Sequence, residues 1–378
     1  MEIYLDNAAS TIVREEAIEA ATRAMREQYG NPSSSHYMGR RAASELARAR
    51  ESVAGALGAS PGEVFFTSGG TESCNWAVFG AAEAQARKGR HLITSAIEHD
   101  AVLEPVKKLE RSGWEATYLQ PDSEGRVSVA DFASALREDT VFASVMMVNN
   151  ETGAVNPIGG YADAIRRRGL GTILHTDAVQ GLCKIPFTAK TLGADLVTVS
   201  AHKIHGPKGV GALFIKAGTK LPPFILGGGH ESGLRSGTEA IPAVAAFGEA
   251  ARLGRLEREE KASHARAIRE HIIHRLNEEL PGAVLIGGGD SPFILSLSLP
   301  GHKSEVLMNY LEGDGICVSK SSACKKGSRS RVLEAMKLRS AVIDGALRVS
   351  FSGYNTLDEA SCFVSSLIRA SETLLKAY

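Results

Sequence analysis

The chain of 378 residues carries 43 Lys+Arg against 43 Asp+Glu, a formal charge of +0, so no overall field recruits nucleic acid or an anionic membrane surface. Its length predicts two domains with room for a site between them. The stretch Met1-Glu2-Ile3-Tyr4-Leu5-Asp6 lacks a signal-peptide pattern, and no apolar run reaches the length of about 18 residues that a membrane span needs. A cytoplasmic metabolic enzyme is expected, with no membrane segment and no direct nucleic-acid role. Five scattered cysteines, Cys74, Cys183, Cys317, Cys324 and Cys362, with no C-x-x-C pair, suggest neither a disulfide framework nor a metal site.

In chain order, period and Ala/Glu/Arg content predict helices over 13–29 and 40–57, flanking the loop Gly30-Asn31-Pro32-Ser33-Ser34-Ser35-His36. A short apolar strand, 63–67, leads through Ser68-Gly69-Gly70-Thr71-Glu72-Ser73 into a helix ending near Ala86. Backbone N–H groups and the positive dipole end at such a turn suit a phosphate, although taken alone it reads first as an ordinary strand-to-helix turn. From His91 on, strands at 91–94, 115–119, 140–148, 172–176, 196–199 and 211–215 alternate with helices at 100–111, 129–137 and 161–168. Near-continuous apolar strands separated by helices predict an α/β fold, a mostly parallel sheet sandwiched by helices, with ligands at the carboxyl ends of the strands.

The polar candidates fall at those ends: Glu98-His99, Asn149-Asn150-Glu151, Asp177 with Gln180, and Lys203 within Ser200-Ala201-His202-Lys203-Ile204-His205-Gly206-Pro207-Lys208-Gly209. Each also has a plain reading: turn asparagines, a helix N-cap aspartate, a helix-start histidine, a solvated basic loop. Together they supply what a pyridoxal phosphate site needs, namely an acid for the pyridinium nitrogen, a desolvated lysine for the aldehyde, a phosphate cradle and a ring to stack.

After Lys216 comes a glycine-dense loop from Leu226 to Thr238, suited by Arg235, Ser236 and Thr238 to anion contact, or else a linker. One long helix is expected over 242–280, then a smaller α+β unit with strands at 284–286, 294–298, 316–318 and 346–351, a helix at 303–312 and a last helix from Asp358. The expected division is a large domain of 12–255 and a small domain of 1–11 with 256–378. Within the small domain, Cys324 sits among Lys320, Lys325, Lys326 and Arg329, which favour thiolate over thiol.

In combination the motifs Tyr4-Leu5-Asp6-Asn7-Ala8-Ala9, Gly30-Asn31-Pro32-Ser33-Ser34, Thr67-Ser68-Gly69-Gly70-Thr71-Glu72-Ser73, Glu98-His99, Val148-Asn149-Asn150-Glu151, Asp177-Ala178-Val179-Gln180, Ser200-Ala201-His202-Lys203, Arg235-Ser236-Gly237-Thr238 and Ser322-Ala323-Cys324 resemble those of the cysteine desulfurases. These are pyridoxal-phosphate enzymes of the class V aminotransferase group with the fold type I architecture. The resemblance implies that Lys203 holds the cofactor covalently, Asp177 its ring nitrogen, His99 its ring face and Gln180 its ring hydroxyl. Gly70, Thr71, Ser200 and His202 would grip the phosphate, joined by Thr238 from the second subunit of a homodimer. Asn31, Asn150 and Arg348 would bind L-cysteine, and Cys324 would take its sulfur as a persulfide for an acceptor protein, leaving L-alanine.

Ser322 and Ala201 stand where the family usually has glycine, Lys325-Lys326 follow the cysteine, and Cys324 and Arg348 are only 348 − 324 = 24 positions apart. The short basic loop is similar to that of members serving tRNA or thiamine thiolation at least as much as those feeding iron–sulfur cluster assembly. Selenocysteine or cysteine/cystine lyases on the same fold would share Lys203, Asp177 and His99 without depending on Cys324. A silent partner-binding subunit would need none of them.

Overall fold

The computed structural model describes residues 2–320 and 329–376, so Cys324 and the rest of 321–328 lie outside the described residues. A seven-stranded sheet runs in the order Val64–Thr67, Gly211–Ile215, Leu196–Ser200, Ile173–Asp177, Thr140–Ser144, His91–Ser95, Glu115–Leu119. Only Gly211–Ile215 is antiparallel to its neighbours; the other pairs are parallel. This is the mostly parallel sheet expected from the apolar strand runs.

Neighbouring residues on these strands face opposite layers, as the pleat requires. Phe66, Ile93, Leu174, Val197 and Phe214 join one apolar cluster, while Phe65, Leu92, Ile173, Leu196 and Leu213 join another. Helices therefore cover both faces, among them Tyr37–Leu57 and Ile241–Leu256 on one and Gly70–Gln85 and Asp100–Glu110 on the other.

A second, antiparallel sheet orders Ser319–Lys320, Ala346–Ser350, Ile294–Ser298 and Val284–Ile286. Its core, including Ile268, Leu297, Leu347 and Phe363, also takes Ile3 and Leu5 from the amino terminus, where Ile3–Tyr4 pairs in parallel with Ile316–Cys317. Short helices Arg331–Ala335 and Ser340–Asp344 return Val332, Leu333, Val342 and Ile343 to the larger core.

The single long helix expected over 242–280 is two, Ile241–Leu256 and Arg258–Glu279, meeting at Glu257 with φ −93 and ψ 0. The physical reason is that they serve different cores: Val244 and Phe247 belong to the large one, Ile268 and Ile272 to the small one. Glu257 fastens the joint through Arg14 at 3.0 Å and Lys261 at 2.7 Å.

Glu98 ties two strand ends together. Its Oε1 accepts from the Ser95 hydroxyl at 2.6 Å and from the Met146 N–H at 2.7 Å. Burial pushes its carboxyl up to about 8, against hydrogen bonds that favour the charged form. The folded chain thus keeps this proton up to about pH 8 while the unfolded chain releases it near 4.5, so the group weakens folding progressively as pH rises between those values. Glu98→Gln removes this titration. Denaturant titrations are expected to show stability moving in the variant's favour by on the order of 1 kcal/mol per pH unit up to about pH 8, then levelling; parallel curves for the two proteins would contradict a buried, protonated Glu98.

Candidate active site

At the carboxyl ends of the parallel strands lies a cavity of about 340 Å³, lined by Gly70, Thr71, His99, Asn150, Asp177, Gln180, Ser200, His202, Lys203 and Arg348. The strands place these groups directly. Asp177 and Ser200 are the last residues of their strands, and Lys203 ends the tight turn Ala201–Lys203 that follows. Gly70 and Thr71 open the helix Gly70–Gln85, entered through Gly69 at φ 151, a backbone setting that favours glycine. Ala201 is fully buried, and Gly206 leaves it room, since a Cβ at 206 would meet the Ala201 Cβ at 2.9 Å. A larger cleft of about 580 Å³, near Lys88, Asp195 and Lys216, opens at the opposite strand ends and holds none of the candidate residues.

Asp177 is the electrostatic centre. Its carboxylate accepts from the Val179 N–H at 2.9 Å and faces the Cys74 thiol at 3.8 Å. Burial raises its pKa, while the charges of His99 and Lys203 pull the other way. None of the ion pairs found among the described residues includes Asp177, so its charged form lacks a bonded cation there. A pyridinium nitrogen would supply one.

Lys203 Nζ donates to the Ala8 and Ala9 carbonyls, both at 2.7 Å. The same Ala8 carbonyl accepts from Gln180 Nε2 at 2.8 Å. His99 does two things at once: Nδ1 caps the helix Asp100–Glu110 by accepting from the Ala101 N–H at 3.1 Å, and its ring lines the cavity. The helix-start reading holds, and the same ring faces the cavity. His202 is held neutral, its pKa lowered to about 4 by burial and then by Lys203 and other lysines.

Arg348 is almost wholly buried, with Nη1 on the Asn150 carbonyl at 2.9 Å and Nη2 on Asp6 at 2.8 Å. Its Nε has no hydrogen-bond partner among the described residues. A buried guanidinium with a donor left over is suited to an incoming carboxylate.

Two expected residues stand apart. Thr238 and Asn31 are exposed and do not line the cavity. Arg235 nonetheless ties the Thr238 loop to Glu72 of the helix Gly70–Gln85 at 2.8 Å. Cys324 lies outside the described residues, but the chain on either side is anchored near Arg348: Ser319 pairs with Arg348 in the small sheet, and Ser330 bonds Glu151 at 2.5 Å.

Sequence reasoning missed the Ala8 and Ala9 carbonyls, Cys74 and Lys184. Backbone acceptors carry no residue-type signal, and Cys74 and Lys184 meet the site only through folding. Lys184 alone left a trace, standing four positions beyond Gln180.

The donor set fits pyridoxal phosphate: a buried carboxylate outside every ion pair found among the described residues, a lysine on the adjoining strand end, a helix N-terminus and an imidazole face share one cavity. No helix among the described residues is long and apolar enough to cross a membrane, and no cluster of His, Cys, Asp and Glu there could hold a metal ion.

Residues 3–363 match the family model described as aminotransferase class-V. The chain is 39% identical over 377 residues to a cysteine desulfurase IscS of Dictyoglomus turgidum, covering 99% of this chain and 95% of that one. A solved NifS-like protein superposes with a TM-score of 0.94 at 38% identity, covering 99% and 100% of the two chains. A structure described as SspA in complex with cysteine gives a TM-score of 0.82 at 31% identity, covering 94% and 100%. With that likeness running almost end to end and the site residues gathered as described, the chain belongs to the class-V aminotransferase family and, within it, to the cysteine desulfurases.

Proposed function

We propose that the chain uses pyridoxal phosphate to take sulfur from L-cysteine, releasing L-alanine and leaving a persulfide on Cys324 for an acceptor protein. The observation that carries this is the convergence of Asp177, Lys203, Gln180 and His99 on one cavity beside Arg348. When bound, the cofactor supplies an electron sink for charge developing at the substrate α-carbon.

The residues then divide the work. Lys203 would hold the cofactor through Nζ and would carry the substrate's α-proton; the Ala8 and Ala9 carbonyls fix where Nζ sits. Asp177 would keep the ring nitrogen protonated, Gln180 would bond the ring hydroxyl, and His99 would face the ring. Gly70, Thr71, Ser200 and His202 hold the phosphate at the amino end of the helix Gly70–Gln85. Arg348 and Asn150, with Asn31, orient the substrate carboxylate. The Cys324 thiolate attacks the substrate sulfur, so that an S–S bond forms as the C–S bond breaks, and the carbon that keeps the electron pair of that bond takes up a proton.

The large unit, 12–255, supplies the cofactor site, and the small unit, 1–11 with 256–378, supplies Arg348 and Cys324. Thr238, exposed on its own chain, reaches the phosphate of a second copy in a homodimer. The short basic sequence Ser322-Ala323-Cys324-Lys325-Lys326 suits an acidic acceptor surface, whether the acceptor serves cluster assembly or tRNA or thiamine thiolation.

Lys203→Ala is expected to lose the visible absorbance band of bound cofactor; a band that persists would remove Lys203 from its role. In Cys324→Ala the band should remain while sulfide release from L-cysteine falls roughly a hundredfold or more, whereas undiminished release would favour lyase chemistry. For Arg348→Lys, steady-state kinetics should show KM for L-cysteine raised on the order of tenfold or more, because a point charge replaces the fork. An unchanged KM would place the carboxylate elsewhere.

A further inference from the structure

Lys184 is a buried amine that the reaction just described does not use. It follows the strand Ile173–Asp177 through a run of tight turns and is only 8% exposed. Its Nζ donates to Gln180 Oε1 at 3.0 Å and lies 6.0 Å from the centre of the Phe293 ring. Among the described residues, the groups that act on its charge are Lys203, Arg348 and the Cys183 thiol, with no carboxylate among them. Arg14, His205 and Lys261 also line the small cavity it shares with Lys203. Burial and the neighbouring cations push its pKa down to about 7. An amine buried without a counter-ion is unfavourable for folding, so packing alone is a poor account of it.

The hydrogen bonds of Gln180 suggest what the lysine does. The Ala8 carbonyl can only accept, and Lys184 Nζ donates to the other end of the amide. Nε2 must therefore face Ala8, and Oε1 must face Lys184. Turning the amide over would break both bonds. One Nε2 hydrogen remains beyond the Ala8 bond, on a side chain that lines the cavity. Without Lys184, Oε1 becomes a buried acceptor with no donor, and the amide is held at one end only.

We propose that Lys184 is a positioning residue that locks the Gln180 amide with its nitrogen toward the cavity, so that Gln180 always meets the cofactor as a hydrogen-bond donor. This rests on the reading that Gln180 bonds the cofactor's ring hydroxyl. A donor there stabilises negative charge on the ring oxygen and so favours the unprotonated form of the lysine–cofactor linkage. Losing the donor moves the linkage's titration to higher pH.

The test is a double-mutant cycle on Lys184→Met and Gln180→Ala, read by cofactor titration of the apoenzymes and by the pH midpoint of the holoenzyme absorbance band. Each single variant is expected to bind pyridoxal phosphate about tenfold more weakly and to move the midpoint to higher pH. The double variant should match Gln180→Ala in both. A Lys184→Met protein with wild-type affinity and midpoint, or effects that add fully in the double variant, would overturn the proposal. Circular dichroism checks folding, and if Lys184→Met does not fold, Lys184→Leu, which also lacks a donor, takes its place in the cycle, with the same results supporting or overturning the proposal. A wild-type protein that shows no cofactor band would fault the underlying cofactor reading, whereas a normal band with additive effects would fault only the role of Lys184.

Discussion

A carboxylate buried at the end of a parallel strand needs a cation, and much of this structure is arranged around that need at Asp177. Burial opposes its ionisation, and the nearby His99 and Lys203 only partly offset this. Such a site is unfavourable for the chain alone, and a protonated ring nitrogen bound there, as proposed, would make it favourable. The strain is placed where the sheet can hold it, at a strand end flanked by Ser200 and by the buried tie that Glu98 makes between strands.

The amino-terminal segment closes the arrangement. Ala8 and Ala9 accept from Lys203 and Gln180 of the large sheet, while Asp6 pairs with Arg348 and Asn7 bonds the Ser350 carbonyl in the small sheet. A few residues thus set Lys203 and Arg348 in one frame. Because Arg348 is buried and committed to Asp6 and Asn150, its guanidinium is already oriented, and a substrate carboxylate bound there, as proposed, would lose less entropy on binding.

Much of this was legible in the sequence because apolar strand runs place their polar successors at one edge of a parallel sheet. That rule alone brings His99, Asn150, Asp177 and Lys203 together, and the cavity gathers all four. Other features depend on tertiary contact and leave no local pattern. The break at Glu257 reflects two cores competing for one helical stretch, which helix propensity cannot register. The Ala8 and Ala9 acceptors are backbone, and Lys184 shows in sequence only its spacing from Gln180. Asn31 came from resemblance, Thr238 from resemblance and from a loop suited to anion contact, and in a single chain both lie outside the cavity.

In the proposed reaction Lys203 and Asp177 would hold the cofactor, and Cys324 would be the residue that carries the sulfur. Its segment is carried between two anchored ends, Lys320 on Glu305 at 3.0 Å and Arg329 on Asp344 at 2.9 Å. The most direct measurement is peptide mass spectrometry of the holoenzyme after brief incubation with L-cysteine and no acceptor or reductant. One added sulfur atom on the peptide bearing Cys324, with L-alanine formed alongside, is the result this account predicts. L-alanine and free sulfide with that peptide unmodified would contradict it.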